Sequence, residues 1–468
     1  MSKSTGQSRR TLRVSAAALV AGLGLAACGG GSSGNSTTKT DSTSKDSGGT
    51  IKIAFQQWGE NRTMNNFLAS VKTQWEQANP GKKVELDPIV ASENDYYTKL
   101  ALMMRSAKTS PDLVYEDTFL INSDIKAGYL RPLDSYLSSW DQWAQFQPTA
   151  KGAARGLDGK TYGVPDGTDT RALWYDKGIF QKAGIPVPWQ PKNWDDILSA
   201  ARQIKAKVPG VVPFNVYSSK AAGEASSMQG FEMLLYGTGG TLYDDSSKKW
   251  VIGSKHFVDS LQFLKTIFGE KLGPSLQDAT DAQIQNKVGQ QWLPSGKVGI
   301  DLDGSWLPTS WQPTGGKPWP QWSTALGQAP MPTQGGQAPG AVSLSGGWTW
   351  AISAKSKSPD AAWSFIKTAQ TTQNAVKFDI ANAQIAVRKD VASDPAYQKV
   401  NAKAPVFSQV VAVTKYRPAY AEYPRISNEI EVAMESVMTG QASPQDAAKT
   451  YDDAVKGIVG DSGTVRMS

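Results

Sequence analysis

The chain has 468 residues, a formal net charge of +7, one cysteine and one histidine. A single cysteine excludes internal disulfides, and one histidine with one cysteine cannot build a zinc cluster or a supported histidine triad. Four positive charges fall within the first thirteen residues (Lys3, Arg9, Arg10, Arg13), which leaves the remainder at about +3. No basic run points to nucleic acid.

In chain order, those basic residues precede a short apolar run, Val14 to Ala27, built mainly from Ala, Val, Leu and Gly. It is shorter than the ~20 residues that span a bilayer as a helix. The pattern therefore reads as a signal peptide, residues 1–27. The run ends Leu25-Ala26-Ala27-Cys28. Small residues admit a peptidase and the thiol accepts a diacylglycerol, so this ending resembles the bacterial lipobox. It implies lipid attachment at Cys28 on the outer face of the membrane. Residues 28–50 are polar and glycine-rich and read as a tether. Gly30-Gly31-Ser32-Ser33-Gly34 fits a hydrolase elbow by spelling, but no strand or helix flanks it.

The folded part begins with the alternating strand Ile51 to Phe55. A helix carrying Phe67, Leu68, Val71 and Trp75 on one face follows and stops at Asn79-Pro80-Gly81. Val84 to Leu86 reads as a strand, Tyr96 to Ser106 as a helix, and Asp112 to Tyr115 as a short buried strand. Later come a helix capped by Asn193, a helix from Phe257 to Phe268, and a strand from Val298 to Leu302. The strand Trp348 to Ile352 and a helix around Ala361 to Ala369 complete the series. Strands alternating with helices predict α/β lobes with largely parallel sheets. The stretch from Pro308 to Pro339, rich in Pro, Gly and Trp, predicts irregular surface. Asp244-Asp245 before Ser246-Ser247 reads as a hairpin turn without calcium-loop spacing.

No phosphate-binding loop, dinucleotide fingerprint or metal cluster is spelled by the sequence, so no cofactor or metal is expected. Aromatic side chains are abundant, with 16 Trp and 15 Tyr. Many lie near turns and strand ends beside polar residues. Flat ring faces complement the C–H faces of sugars, and carboxylates, amides and Arg complement their hydroxyls.

Several segments together resemble the extracellular solute-binding proteins of family 1, the group that contains maltose-binding protein. They are Pro111 to Asp117 with Ala127 to Asp134; Leu157 to Pro165 running on to Leu173-Trp174-Tyr175-Asp176; Gly296 to Ile300 with Asp303-Gly304-Ser305-Trp306; and Gly346-Gly347-Trp348 with Pro359 to Ile366. The resemblance spans nearly all of residues 50 to 457. It implies a two-lobed α/β fold of the type II periplasmic-binding class, with a hinge and an interlobe cleft. The implied lobes are residues 51–166 plus 347–387 and residues 167–346 plus 388–468, with crossings near 167–170, 342–346 and 387–389. The resemblance also implies a monomer without enzymatic activity that delivers a carbohydrate to the permease of an ATP-driven importer.

By position, the resemblance assigns ligand contacts to Glu116 and Asp117 after the third strand, Asp169 at the first crossing, and the stacking rings Trp306 and Trp348. Trp58 and Glu60 after the first strand, and Tyr416 and Tyr420 late in the chain, are further candidates. Arg171 either binds sugar or pairs with Asp169. Two other classes stay open on sequence alone: a secreted carbohydrate-active enzyme using paired carboxylates, and a binder of a non-sugar solute such as a polyamine or iron.

Overall fold

A computed structural model describes residues 49–467. The expected signal peptide, most of the tether and Cys28 lie outside the described residues. The first strand begins at Thr50, so the tether's expected last residue already belongs to the sheet.

Apolar alternation builds the first lobe around a five-stranded sheet. Its order is Lys83–Val90, Thr50–Gln57, Leu113–Asp117, Gly347–Ile352, Gly163–Thr168. The first three strands run parallel, whereas Gly347–Ile352 runs antiparallel to both of its neighbours. Pro88 sits in the edge strand, where a missing N–H costs no inner ladder bond. The helices Thr63–Ala78 and Pro359–Ala369 cover the sheet, and Trp75, Phe365 and Trp350 form its core.

The second lobe holds a four-stranded sheet ordered Leu326–Ala329, Arg171–Asp176, Val298–Gly304, Val212–Asn215. Only the last pair is parallel. Both main sheets are thus mixed rather than largely parallel. The reason lies in connectivity: Gly347–Ile352 enters its sheet from the other lobe, with no βαβ crossover to impose a direction. Asn193 caps the helix Trp194–Lys207, its Oδ1 accepting from Asp196 N at 3.0 Å. The hairpin at Asp244 forms, with Tyr243–Asp244 pairing Lys249–Ile252.

The stretch 308–339 is not plain surface. Trp311 is 2% exposed and Trp322 7%, and both pack on Trp174. Spacing in this Pro- and Gly-rich stretch shows no period, yet its indoles close one side of the lobe's core.

Two passages between the lobes lie side by side. Thr168-Asp169-Thr170 links Gly163–Thr168 to Arg171–Asp176, and Gly346 links Ala341–Ser345 to Gly347–Ile352. Thr168 Oγ1 donates to Gly346 O, and Gly346 N donates to Asp169 Oδ1, both at 2.8 Å. Gly347 has φ +148°, and a Cβ there would meet Gly167 O at 2.8 Å, so only glycine fits this passage. Ile385 bridges Thr168 beside them. Beyond the expected third crossing at 387–389 the chain stays with the first lobe. Val391 and Tyr397 pack on Val376 and Ala386. Phe407 then joins Trp174 in the second lobe, because its apolar partners lie there.

Candidate ligand cleft

The strand ends and passages of the two lobes face a cleft of about 1230 Å³, counting the solvent at its mouth. The first lobe supplies an aromatic wall. Trp348, at the start of its strand, stacks on Tyr115 with ring centroids 4.9 Å apart and planes 6° from parallel. Tyr96 and Tyr97 pack against the same indole at 5.9 and 6.1 Å. Trp348 is half-buried, so the stack holds the indole in place while part of it borders the cleft. Gln56 and Trp58, at and just after the end of Thr50–Gln57, continue this wall.

The second lobe supplies a polar wall. Asp169 pairs with Arg171, and Arg171 Nη1 also reaches Leu344 O at 3.2 Å. The Arg171 guanidinium lies 4.6 Å from the Trp306 ring centre. That indole folds back over Gly304, where a Cβ would meet it at 1.9 Å; glycine is what lets the ring lie there. Asp303 accepts from Tyr217 OH and Gly304 N, each at 2.7 Å, and burial pushes its carboxyl up to about 6.

Arg417 ties the two walls together. It donates to Asp117 Oδ1 of the first lobe at 2.8 Å and to Glu224 Oε2 of the second at 3.0 Å, and it lies 4.2 Å over the Phe119 ring. Burial alone would lower its pKa, but Asp117 and Glu224 hold it above the ordinary arginine value. Tyr97 OH donates to the second oxygen of Asp117 at 2.8 Å.

Of the residues expected from sequence, the structure brings Trp58, Asp117, Asp169, Arg171, Trp306 and Trp348 to the cleft. Arg171 does pair with Asp169 and lines the cleft as well. Four others lie elsewhere. Glu116 points to the opposite side of its strand from Tyr115 and Asp117. It is fully buried, and burial, followed by the charge of Asp124, holds its carboxyl well above the usual range. Glu60 is exposed on the turn after Trp58. Tyr416 is 48% exposed, because the alternation that brings Arg417 inward turns its neighbour out. Tyr420 packs on Tyr243 and Trp250, away from the cleft.

The sequence reading missed Glu93, Glu224, Met228, Gln229 and Arg417. Three of these stand at or within the helical segment Ala225–Glu232, which is wound wider than an α-helix. A second such segment, Val288–Trp292, contributes Gly289. Wide turns of this kind are rare and gather at functional sites. They carry no 3.6-residue signature to read. Among the described residues no cluster of His, Cys, Asp and Glu could hold a metal.

The model of the bacterial extracellular solute-binding proteins matches residues 58–376. A putative binding protein of Brucella abortus (strain 2308) is 25% identical over 396 residues, covering 83% of this chain and 90% of its own length. An arabinooligosaccharide-binding protein of Bacillus subtilis (strain 168) is 24% identical over 235 residues, 49% of this chain and 51% of that protein. In fold, the chain is similar to the GacH receptor of Streptomyces glaucescens, solved unliganded and with acarbose. The TM-score is 0.74 at 24% identity, covering 88% of this chain and 98% of the receptor. With the family model matching well over half of its length, the chain belongs to the bacterial extracellular solute-binding proteins.

Proposed function

We propose that the protein captures a carbohydrate in this cleft, leaves it chemically unchanged, and hands it to the permease of an ATP-driven importer. The observation that carries the reading is the composition of the two walls. The first lobe offers the half-buried indoles of Trp348 and Trp58, and the second that of Trp306. Around them lie cleft-lining polar atoms without a partner: Gln56 Oε1, Gln229 Oε1, Thr309 Oγ1 and Arg171 Nε. A buried polar atom left unpaired costs about 1–3 kcal/mol. A ligand rich in hydroxyls satisfies such atoms while its C–H faces cover the indoles. The relatives named for arabinooligosaccharide and acarbose support the same ligand class.

The lobes can close around such a ligand by bending at the passages. Ligand shifts that equilibrium only through groups it touches on both lobes. Family membership puts the protein outside the cytoplasm. Anchoring through a lipid on Cys28 and a monomeric state are part of the proposal, the first supported by the Leu25-Ala26-Ala27-Cys28 motif.

Thermal-shift screening of oligosaccharides, followed by chromatography of the ligand after long incubation, tests the reading, because a bound ligand raises stability by mass action. The expected outcome is a stabilising sugar recovered intact. Turnover beyond one equivalent would favour the enzyme class instead. Fractionation of Cys28→Ala checks the anchor: the variant should no longer partition with membranes.

A further inference from the structure

The charge lining the cleft is unequal. Glu93, Asp117, Asp169, Glu224 and Asp303 supply five carboxyl groups against the two guanidinium groups of Arg171 and Arg417. No lysine or histidine lines the cleft among the described residues. Both cations are already committed. Arg171 is paired with Asp169, and Arg417 is shared between Asp117 and Glu224. Glu93, in the first turn of the helix Glu93–Met104, makes no ion pair among the described residues.

A second observation points the same way. Two buried side chains that line the cleft leave acceptors open: Gln56 Oε1 on the first lobe, with the residue 3% exposed, and Gln229 Oε1 on the second, with the residue 4% exposed. The Gln56 amide is oriented by its Nε2, which donates to Ala91 O at 3.4 Å. The Glu93 carboxyl also offers an acceptor, whereas the oxygens of Asp117 and Glu224 already accept from Arg417, Tyr97, Phe119 N, Tyr423 and Ser427. On the side of Gln56, Gln229 and Glu93 the cleft therefore asks its ligand for N–H and O–H donors, while Arg171 Nε asks for an acceptor elsewhere.

We propose that the ligand is a carbohydrate bearing a protonated amine, seated on the Glu93 and Glu224 side of the cleft, and that anionic sugars are rejected. This rests on the sugar reading above and narrows it. An ammonium has three donors and no acceptor, which matches the open acceptors of Gln56 and Gln229 beside Glu93. Its charge offsets the surplus carboxylates, and the C–H groups beside it carry partial positive charge that suits the indole faces. Burial, then the charges of Asp117 and Glu224, push the Glu93 carboxyl up to about 8, against the opposing pull of Arg417 and Tyr97, and a cation seated beside it would favour its ionised form. A uronic acid or sugar phosphate would add another anion to the same wall, and like charges in a desolvated site repel strongly.

Calorimetry at pH 6, where sugar amines are protonated, tests the proposal with charge-matched probes. These are chitosan disaccharide, diacetylchitobiose and cellobiose, together with glucosamine, glucose and glucuronate and the galactose counterparts. The expected result is that the amine member of a series binds at least about tenfold tighter than its neutral and acetylated partners, the effect of a charge-assisted hydrogen bond. The uronate should not bind. Glu93→Gln should remove most of the amine preference without lowering the unliganded melting temperature, because the amide keeps the shape and neutrality of the protonated acid. Neutral sugars binding as tightly as their amines, or a uronate binding at all, overturns this proposal and leaves the sugar reading standing. An amine preference unchanged in Glu93→Gln overturns the assigned seat. A panel in which no carbohydrate binds overturns both readings together.

Discussion

The two walls of the cleft are built on different physics. On the first lobe, Trp348 is held by packing: Tyr115 stacks beneath it and Trp350 lies 4.7 Å from Tyr115 in the core below. On the second, the groups are held by paired charge and hydrogen bonds, with Asp169, Arg171, Glu224 and Arg417 almost fully buried. The packed wall depends mainly on volume. The charged wall depends on protonation and on partners that span the lobes. Arg417 is the point where the two meet, since it carries the hydrogen bonds to Asp117 and Glu224.

The largest effect should come from the packed side. Trp350 is fully buried, and its Nε1 donates to Asp166 Oδ2 at 2.8 Å. Trp350→Ala removes the floor under Tyr115 and strands a buried acceptor, which should cost about 3–5 kcal/mol of stability. Denaturant unfolding at pH 5 checks this, because Asp166, raised by burial to about 7, is protonated there and the loss is mainly that of packing. A loss below about 1 kcal/mol at that pH would break the contrast between the walls.

The charged side predicts a pH dependence. Glu232 lies behind Glu224, accepts from Tyr423 OH at 2.6 Å, and is raised by burial from 4.5 to about 8. The folded protein therefore keeps a proton that the unfolded chain releases above about pH 4.5. That contribution is fully present below the unfolded value and is lost as pH rises through the folded one. Stability should fall from pH 5 to pH 8 by something on the order of 2–4 kcal/mol from this group. Glu232→Gln should flatten that part of the slope. Parallel melting curves for wild type and variant across this range would show that Glu232 is not responsible.

The same contrast explains what the sequence revealed. On the first lobe, alternation marks the strands, and Gly346-Gly347-Trp348 announces a ring at a passage between lobes. Period two also decides between adjacent candidates once a strand end is known: Asp117 faces the cleft and Glu116 does not. On the second lobe the family resemblance reaches Asp169, Arg171 and Trp306, which lie in a strand or within two residues of one. Glu224 and Gln229 sit at a wide helical segment with no readable period, and Glu93 looks like an ordinary acidic residue in a first helical turn. Arg417 directly follows the exposed Tyr416, and only the tertiary pairing with Asp117 selects it. Sheet direction was likewise hidden, because it depends on a strand arriving from the other lobe.

The central claim is that one indole from each lobe grips the same carbohydrate. It is tested most directly by calorimetric affinity of Trp348→Ala and Trp306→Ala for the sugar that binds the wild type best. Each variant should bind at least about tenfold more weakly, roughly 1.4 kcal/mol. Trp348→Ala should also lose some unliganded stability, because Tyr115, Tyr96 and Tyr97 pack on that ring. Wild-type affinity in either variant, with the fold intact, would contradict the account.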